Sequence, residues 1–135
     1  MYAADANSPD MRILAEQIYQ YKKGVRKLVL HTFDRRYEDL AVRKLRAQHI
    51  DFLIQPVCTR SAANCTEWDT SCATSINLFF GRKECVDAVG MLVQQPLHKL
   101  TPEQDFILGA MLGYDISVQC ERYCKRKARD KEGRA

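Results

Sequence analysis

The chain lacks any apolar run long enough to cross a bilayer, which needs about 20 residues, so a membrane-spanning helix is excluded. Its six glycines are scattered, and no glycine-rich phosphate loop or nucleophile elbow occurs. Paired metal carboxylates are missing too. No Cys-x2-Cys pair is present, which removes the commonest redox motif and the tight spacing that zinc sites prefer. Met1 to Asp10 has no basic start followed by an apolar stretch, so no secretory signal is read there. A cytoplasmic location with reduced thiols is expected, and the six cysteines are not read as a disulfide framework. Internal repeats and low-complexity segments are absent.

What is present is 135 residues of ordinary globular composition, 46% hydrophobic and 28% charged, enough for one domain with a real core. The formal charge is +4. The segment after Cys124 accounts for it, with Lys125, Arg126, Lys127, Arg129, Lys131 and Arg134 against Asp130 and Glu132. A basic tail over 125–135 can contact nucleic acid. The preferred reading is a solvated helix end, with cations near the negative end of the dipole.

The run Ile76-Asn77-Leu78-Phe79-Phe80-Gly81 is the most aromatic stretch and reads as the central strand of a small sheet. Before it, Ser8-Pro9 starts a helix with Met11, Leu14, Ile18 and Tyr21 on one stripe, ended by Gly24. Leu28 to Phe33 is a strand with both faces apolar. Asp34 caps a second helix, whose stripe is Tyr37, Leu40, Ala41 and Leu45. A further strand runs from about Ile50 to Val57, and Pro56 places it at an edge. A polar loop over 58–74 follows, too long for a hairpin turn.

After the central strand come three helices. The first has Val86, Val89 and Val93 inward. The second opens on the capping box Thr101-Pro102-Glu103-Gln104, with Phe106, Ile107, Ala110 and Met111 inward. Asp115 caps the last, whose inner stripe is Ile116, Cys120 and Tyr123. The result is a two-layer α+β domain, a three-stranded mixed sheet with about five helices. The first two strands should run parallel and the third antiparallel to them.

Three segments together resemble a small bacterial family: Asn77-Leu78-Phe79-Phe80-Gly81, then Leu100-Thr101-Pro102-Glu103-Gln104-Asp105-Phe106-Ile107-Leu108-Gly109, then Leu112-Gly113-Tyr114-Asp115 with Gln119-Cys120-Glu121-Arg122-Tyr123. It is the domain of unknown function numbered two thousand and twenty-three. The resemblance runs from about Ile13 to Tyr123. It implies three strands, five helices and a homodimer, with no assigned activity and no functional residues to carry over.

Strand direction gathers the candidate residues at one pole. His31, Thr32, Asp34, Arg35 and Arg36 meet Cys58 and the long loop there, and then Ser75 and Asn77. Ligands favour the carboxyl ends of strands in open sheets. The second helix start, beside Arg35 and Arg36, favours an anion, although Asp34 competes for the cap. His31 could serve as acid, base or ligand. Trp68 in a polar loop suggests a fold-back or a partner. Cys58, Cys65 and Cys72 recur at even spacing, and Cys58 is the best redox candidate.

The expected function is a homodimeric interaction or small-ligand-binding module without turnover. Its partners would be a second copy, a small anionic ligand or a protein, with no cofactor, metal or membrane. The alternatives are thiol redox or metal chemistry through the loop cysteines, and nucleic-acid binding through the basic tail.

Overall fold

A computed structural model describes residues 6–57 and 73–133. The elements follow in order as α1 (Pro9–Lys22), β1 (Leu28–Asp34), a 3-10 turn (Arg35–Tyr37), α2 (Glu38–Ala47), β2 (Asp51–Val57), β3 (Ser75–Gly81), α3 (Lys83–Leu92), a second 3-10 turn (Leu97–Lys99), α4 (Pro102–Met111) and α5 (Ile116–Gly133). Two compact units divide the chain, Met1–Val86 and Asp87–Ala135, with the boundary inside α3. Among the described residues, no helix is long and apolar enough to cross a membrane.

The first unit holds an α+β sandwich. Ser8 caps α1, its hydroxyl oxygen accepting the Met11 N–H, and Pro9 occupies the first turn. Gly24 takes φ +80° just past the helix end. Met11, Leu14 and Ile18 of α1 pack with Ala41 and Leu45 of α2 onto Val29, Phe33, Ile76, Leu78 and Phe80 of the sheet. The expected stripes of both helices therefore face the core, with Tyr21 and Leu40 at its margin.

The sheet order is β1-β3-β2, and both ladders are antiparallel. The expected mixed sheet is thus corrected. Strands β1 and β2 do point the same way, but β3 inserts between them, so no parallel ladder forms. The α-helical crossover sets only the direction of its two strands, while the strand arriving by the long loop takes the central place.

Register fixes which backbone groups look outward. Leu28 pairs with Gly81 and Asp34 with Ser75, while Asp51 pairs with Gly81 and Val57 with Ser75. Just beyond the strand ends, Arg82 N–H donates to Lys27 C=O and Arg35 N–H to Thr74 C=O. Hydrogen-bonded pairs alternate along an antiparallel ladder. Residues 29, 31 and 33 of β1 therefore bond to β3, and 28, 30, 32 and 34 turn their N–H and C=O outward. By the same alternation, 52, 54 and 56 line the outer edge of β2. Pro56, which has no N–H, stands on that outward row, where a ladder does not need one. The edge position expected for β2 is observed.

The second unit is a helical hairpin with the end of α3. The Thr101 capping box is complete: Thr101 Oγ1 accepts the Gln104 N–H and Gln104 Oε1 accepts the Thr101 N–H. Gly113 turns the chain at φ +80°, and Asp115 Oδ1 accepts the N–H groups of Ser117 and Val118 to start α5. Val86, Val89 and Val93 are buried, as expected.

Two helix stripes differ from expectation. On α4 the buried residues are Pro102, Leu108 and Gly109, followed by Leu112, while Ile107 and Ala110 are exposed. On α5 Ile116 and Cys120 are exposed, and α4 instead meets Gln119, Arg122, Tyr123, Arg126 and Lys127. The Gln119 side chain fills the space that a Cβ at Gly109 would take. Arg122 donates from two nitrogens to the Asp105 carboxylate, at 2.7 and 3.2 Å. These cations meet α4 and the Leu100 carbonyl through charged and polar contacts, which an apolar-only pattern misses.

Candidate functional site

The loop pole forms where Asp34, Val57 and Ser75 end or begin their strands. Asp34 Oδ1 accepts the Arg36 N–H at 2.9 Å, so the start of the 3-10 turn is already capped by a carboxylate. The Arg36 guanidinium lies 3.7 Å from that same oxygen and 5.2 Å from the Tyr37 ring centre. Arg35 ties this corner to the segment before β3, its Nη1 donating to Ala73 C=O at 3.4 Å.

His31 is the middle residue of β1 and so stands back from the pole where the sequence placed it, whereas Asn77 is two residues inside β3 from that pole, and the two lie on opposite faces of the sheet. His31 is opposite Leu78, on the face that α1 covers. Its Nε2 is 3.6 Å from Asp10 Oδ1, beyond hydrogen-bond length, and has no hydrogen-bond partner among the described residues. Burial pushes the imidazole pKa below its ordinary value, and the Asp10 charge offsets this only in part. Burial prevails because an ion pair at that separation leaves the imidazolium without an acceptor. His31 is therefore neutral near pH 7 and stacks 5.1 Å from Phe33.

Asn77 centres a polar row on the other face. Thr32, Asn77 and Gln55 are aligned across the three strands. Thr32 Oγ1–H donates to Asn77 Oδ1 at 2.6 Å, and Asn77 Nδ2–H donates to Gln55 Oε1 at 3.0 Å. Both ends of the Asn77 amide are thus engaged with side chains. Asn77 is buried, so this row satisfies polar atoms that would otherwise be costly.

Cys58, Cys65, Cys72 and Trp68 lie outside the described residues. Of the others, Cys85 is half-buried and Cys120 and Cys124 are exposed free thiols. Among the described residues, no three His, Cys, Asp or Glu side chains converge as a metal site. Residues 125–133 of the basic segment form the last turns of α5. Several of its cations are already matched: Lys125 to Glu121 at 2.9 Å, Lys127 to Glu103 at 2.9 Å, and Arg126 to Leu100 C=O at 2.8 Å.

Sequence reasoning missed a cluster at the opposite end of the sheet. There the turn after α1 and the start of α3 meet around a depression of about 440 Å³, which five basic side chains border. The contributing stretches are more than 50 residues apart in the chain, and only the pairing of Leu28 with Gly81 brings them together. The possible signal was Gly81 followed at once by Arg82-Lys83, opposite Arg26-Lys27 before the first strand.

Among proteins of curated function, none matches the chain. A family model described as "Protein of unknown function (DUF2023)" matches residues 12–126, which include α2, all three strands, α3, α4 and most of α1 and α5. With most of its length covered, the chain belongs to the DUF2023 family.

Proposed function

We propose that this protein is a homodimeric binding module that works without turnover, two copies joining through the outer edge of β1. The observation that carries the reading is the contrast between the two sheet edges. The outer row of β2 includes Pro56, which deletes a donor. The outer row of β1 keeps the N–H groups of Leu28, Leu30, Thr32 and Asp34, with no proline, no lysine and no charge before Asp34. Natural sheets blunt an edge of this kind or pair it. Pairing β1 with its own copy across a two-fold axis would supply an antiparallel partner and a continuous six-stranded sheet. The engaged state of Asn77, Asp34 and Arg36 agrees with a structural role for the loop pole.

Light scattering at micromolar concentration should give twice the chain mass. Leu30→Pro removes one outward N–H, as Pro56 does naturally on the other edge, and should yield a monomer with unchanged far-ultraviolet circular dichroism. A wild-type monomer at that concentration, or a folded Leu30→Pro dimer, rejects the reading.

A further inference from the structure

The depression at the opposite end of the sheet is bordered by five basic side chains and one carboxylate. Its floor follows from Gly81, which takes φ +151°. A Cβ there would collide with the Lys27 carbonyl, so only glycine lets the start of β1 and the end of β3 close this tightly. Arg82 N–H donating to Lys27 C=O at 3.0 Å locks the approach. Arg26 and Lys27 then face Arg82 and Lys83 across the depression, with Tyr21 as one wall.

The charges are unevenly matched. Lys22 donates to Gln48 and Arg82 to Glu84, at 2.7 and 2.6 Å. Arg26, Lys27 and Lys83 have no ion-pair partner among the described residues. Glu84 is the single carboxylate of the lining. Its own backbone N–H holds its pKa down, helped by Arg82 and Lys27. The surroundings thus already stabilise one anion. The last carbonyls of α1 would oppose a second, but they are occupied: Tyr19, Gln20 and Tyr21 C=O accept from Lys23, Val25 and Gly24 N–H. The N-terminal end of α3 adds a positive dipole end at Lys83.

We propose that this depression binds a phosphate-bearing small molecule carrying two or more negative charges, held by Arg26, Lys27 and Lys83, with Arg82 released from Glu84 to join them. The volume lies within the usual range of small-ligand sites, roughly 300–1,000 Å³. A diphosphate group spans such a cluster, and the Tyr21 ring is available to an attached planar group. An extended nucleic-acid backbone would instead need a basic track leading away from the cluster. The nearby basic segment of helix α1 offers only Lys22 and Lys23.

Isothermal titration of the full chain at low salt tests this, with pyrophosphate, ADP, adenosine and a single-stranded oligonucleotide as probes. Pyrophosphate and ADP should bind saturably, adenosine should not, and affinity should fall as salt rises. Lys27→Ala and Lys83→Glu should each weaken binding about tenfold or more, as loss of a charge-assisted contact does. Glu84→Gln should strengthen it by roughly a few-fold, since it frees Arg82 from its ion pair. Lys27 and Lys83 are exposed, so neither change threatens the fold. No saturable heat with millimolar pyrophosphate overturns the proposal. So does undiminished binding in both lysine variants, or binding of the oligonucleotide without pyrophosphate.

Discussion

His31 shows how one side chain can be placed for structure while keeping the chemistry of a switch. It is neutral in the fold because α1 and the sheet remove it from water, with Asp10 too distant to compensate. A histidine whose folded pKa is depressed binds its proton more readily in the unfolded chain. Its contribution is therefore complete above the unfolded value of about 6.5 and is lost as pH falls through the folded pKa. Denaturant melts should show stability falling between pH 7.5 and 5.5, and His31→Leu should flatten that slope. A steeper slope in the variant would contradict this assignment. Asn77 is the complementary case. Asn77→Ala removes the buried amide that accepts from Thr32 and donates to Gln55. The expected loss is about 1–3 kcal/mol in urea unfolding. A change near zero would mean that water replaces the amide.

At the scale of elements, strand ends decide more than strand centres. Gly81 closes β3 onto the start of β1 and sets α3 going immediately afterwards. Gly81→Ala places a methyl group against the Lys27 carbonyl in a backbone region that other residues avoid. The clash alone should cost roughly 1–3 kcal/mol, and the basic depression should widen with it. A lower thermal midpoint together with weakened pyrophosphate binding is the expected outcome. An unchanged midpoint would show that β1 can retreat without penalty. The helices were easier to anticipate. Ser8-Pro9, the Thr101 box, Asp115, Gly24 and Gly113 all act within a few residues of chain, so their signals are local. The faces of α4 and α5 were harder, because Arg122, Arg126 and Lys127 join the two helices through polar contacts with Asp105, Glu103 and the Leu100 carbonyl, not through an apolar stripe.

For the whole molecule, the sheet carries the functional questions. A three-stranded sheet has two outer edges, and proline marks only one of them. The dimer expected from this asymmetry is checked by mass in solution, with Leu30→Pro as the discriminating variant. The β1 edge offers the backbone groups of Leu28 to Asp34, while the basic depression offers the side chains of Arg26, Lys27, Arg82 and Lys83 beyond the Leu28 end, so partner and anion use different groups. If they are independent, Leu30→Pro should leave pyrophosphate affinity within about twofold, as uncoupled sites do.

The sequence by itself determined the caps of α1, α4 and α5, the central place of Ile76–Gly81 and the edge position of Pro56, because each rests on short-range sterics or a missing donor, whereas Asp34, read as the cap of α2, caps the 3-10 turn before it. It also determined strand direction. It did not determine face. Both sides of Leu28–Phe33 are apolar, so alternation left open whether His31 and Asn77 share a side, and register put them on opposite ones. Only the tertiary structure could bring Arg26 and Lys27 against Arg82 and Lys83. That contact depends on two distant backbones meeting at a residue with no side chain, and no local pattern records it.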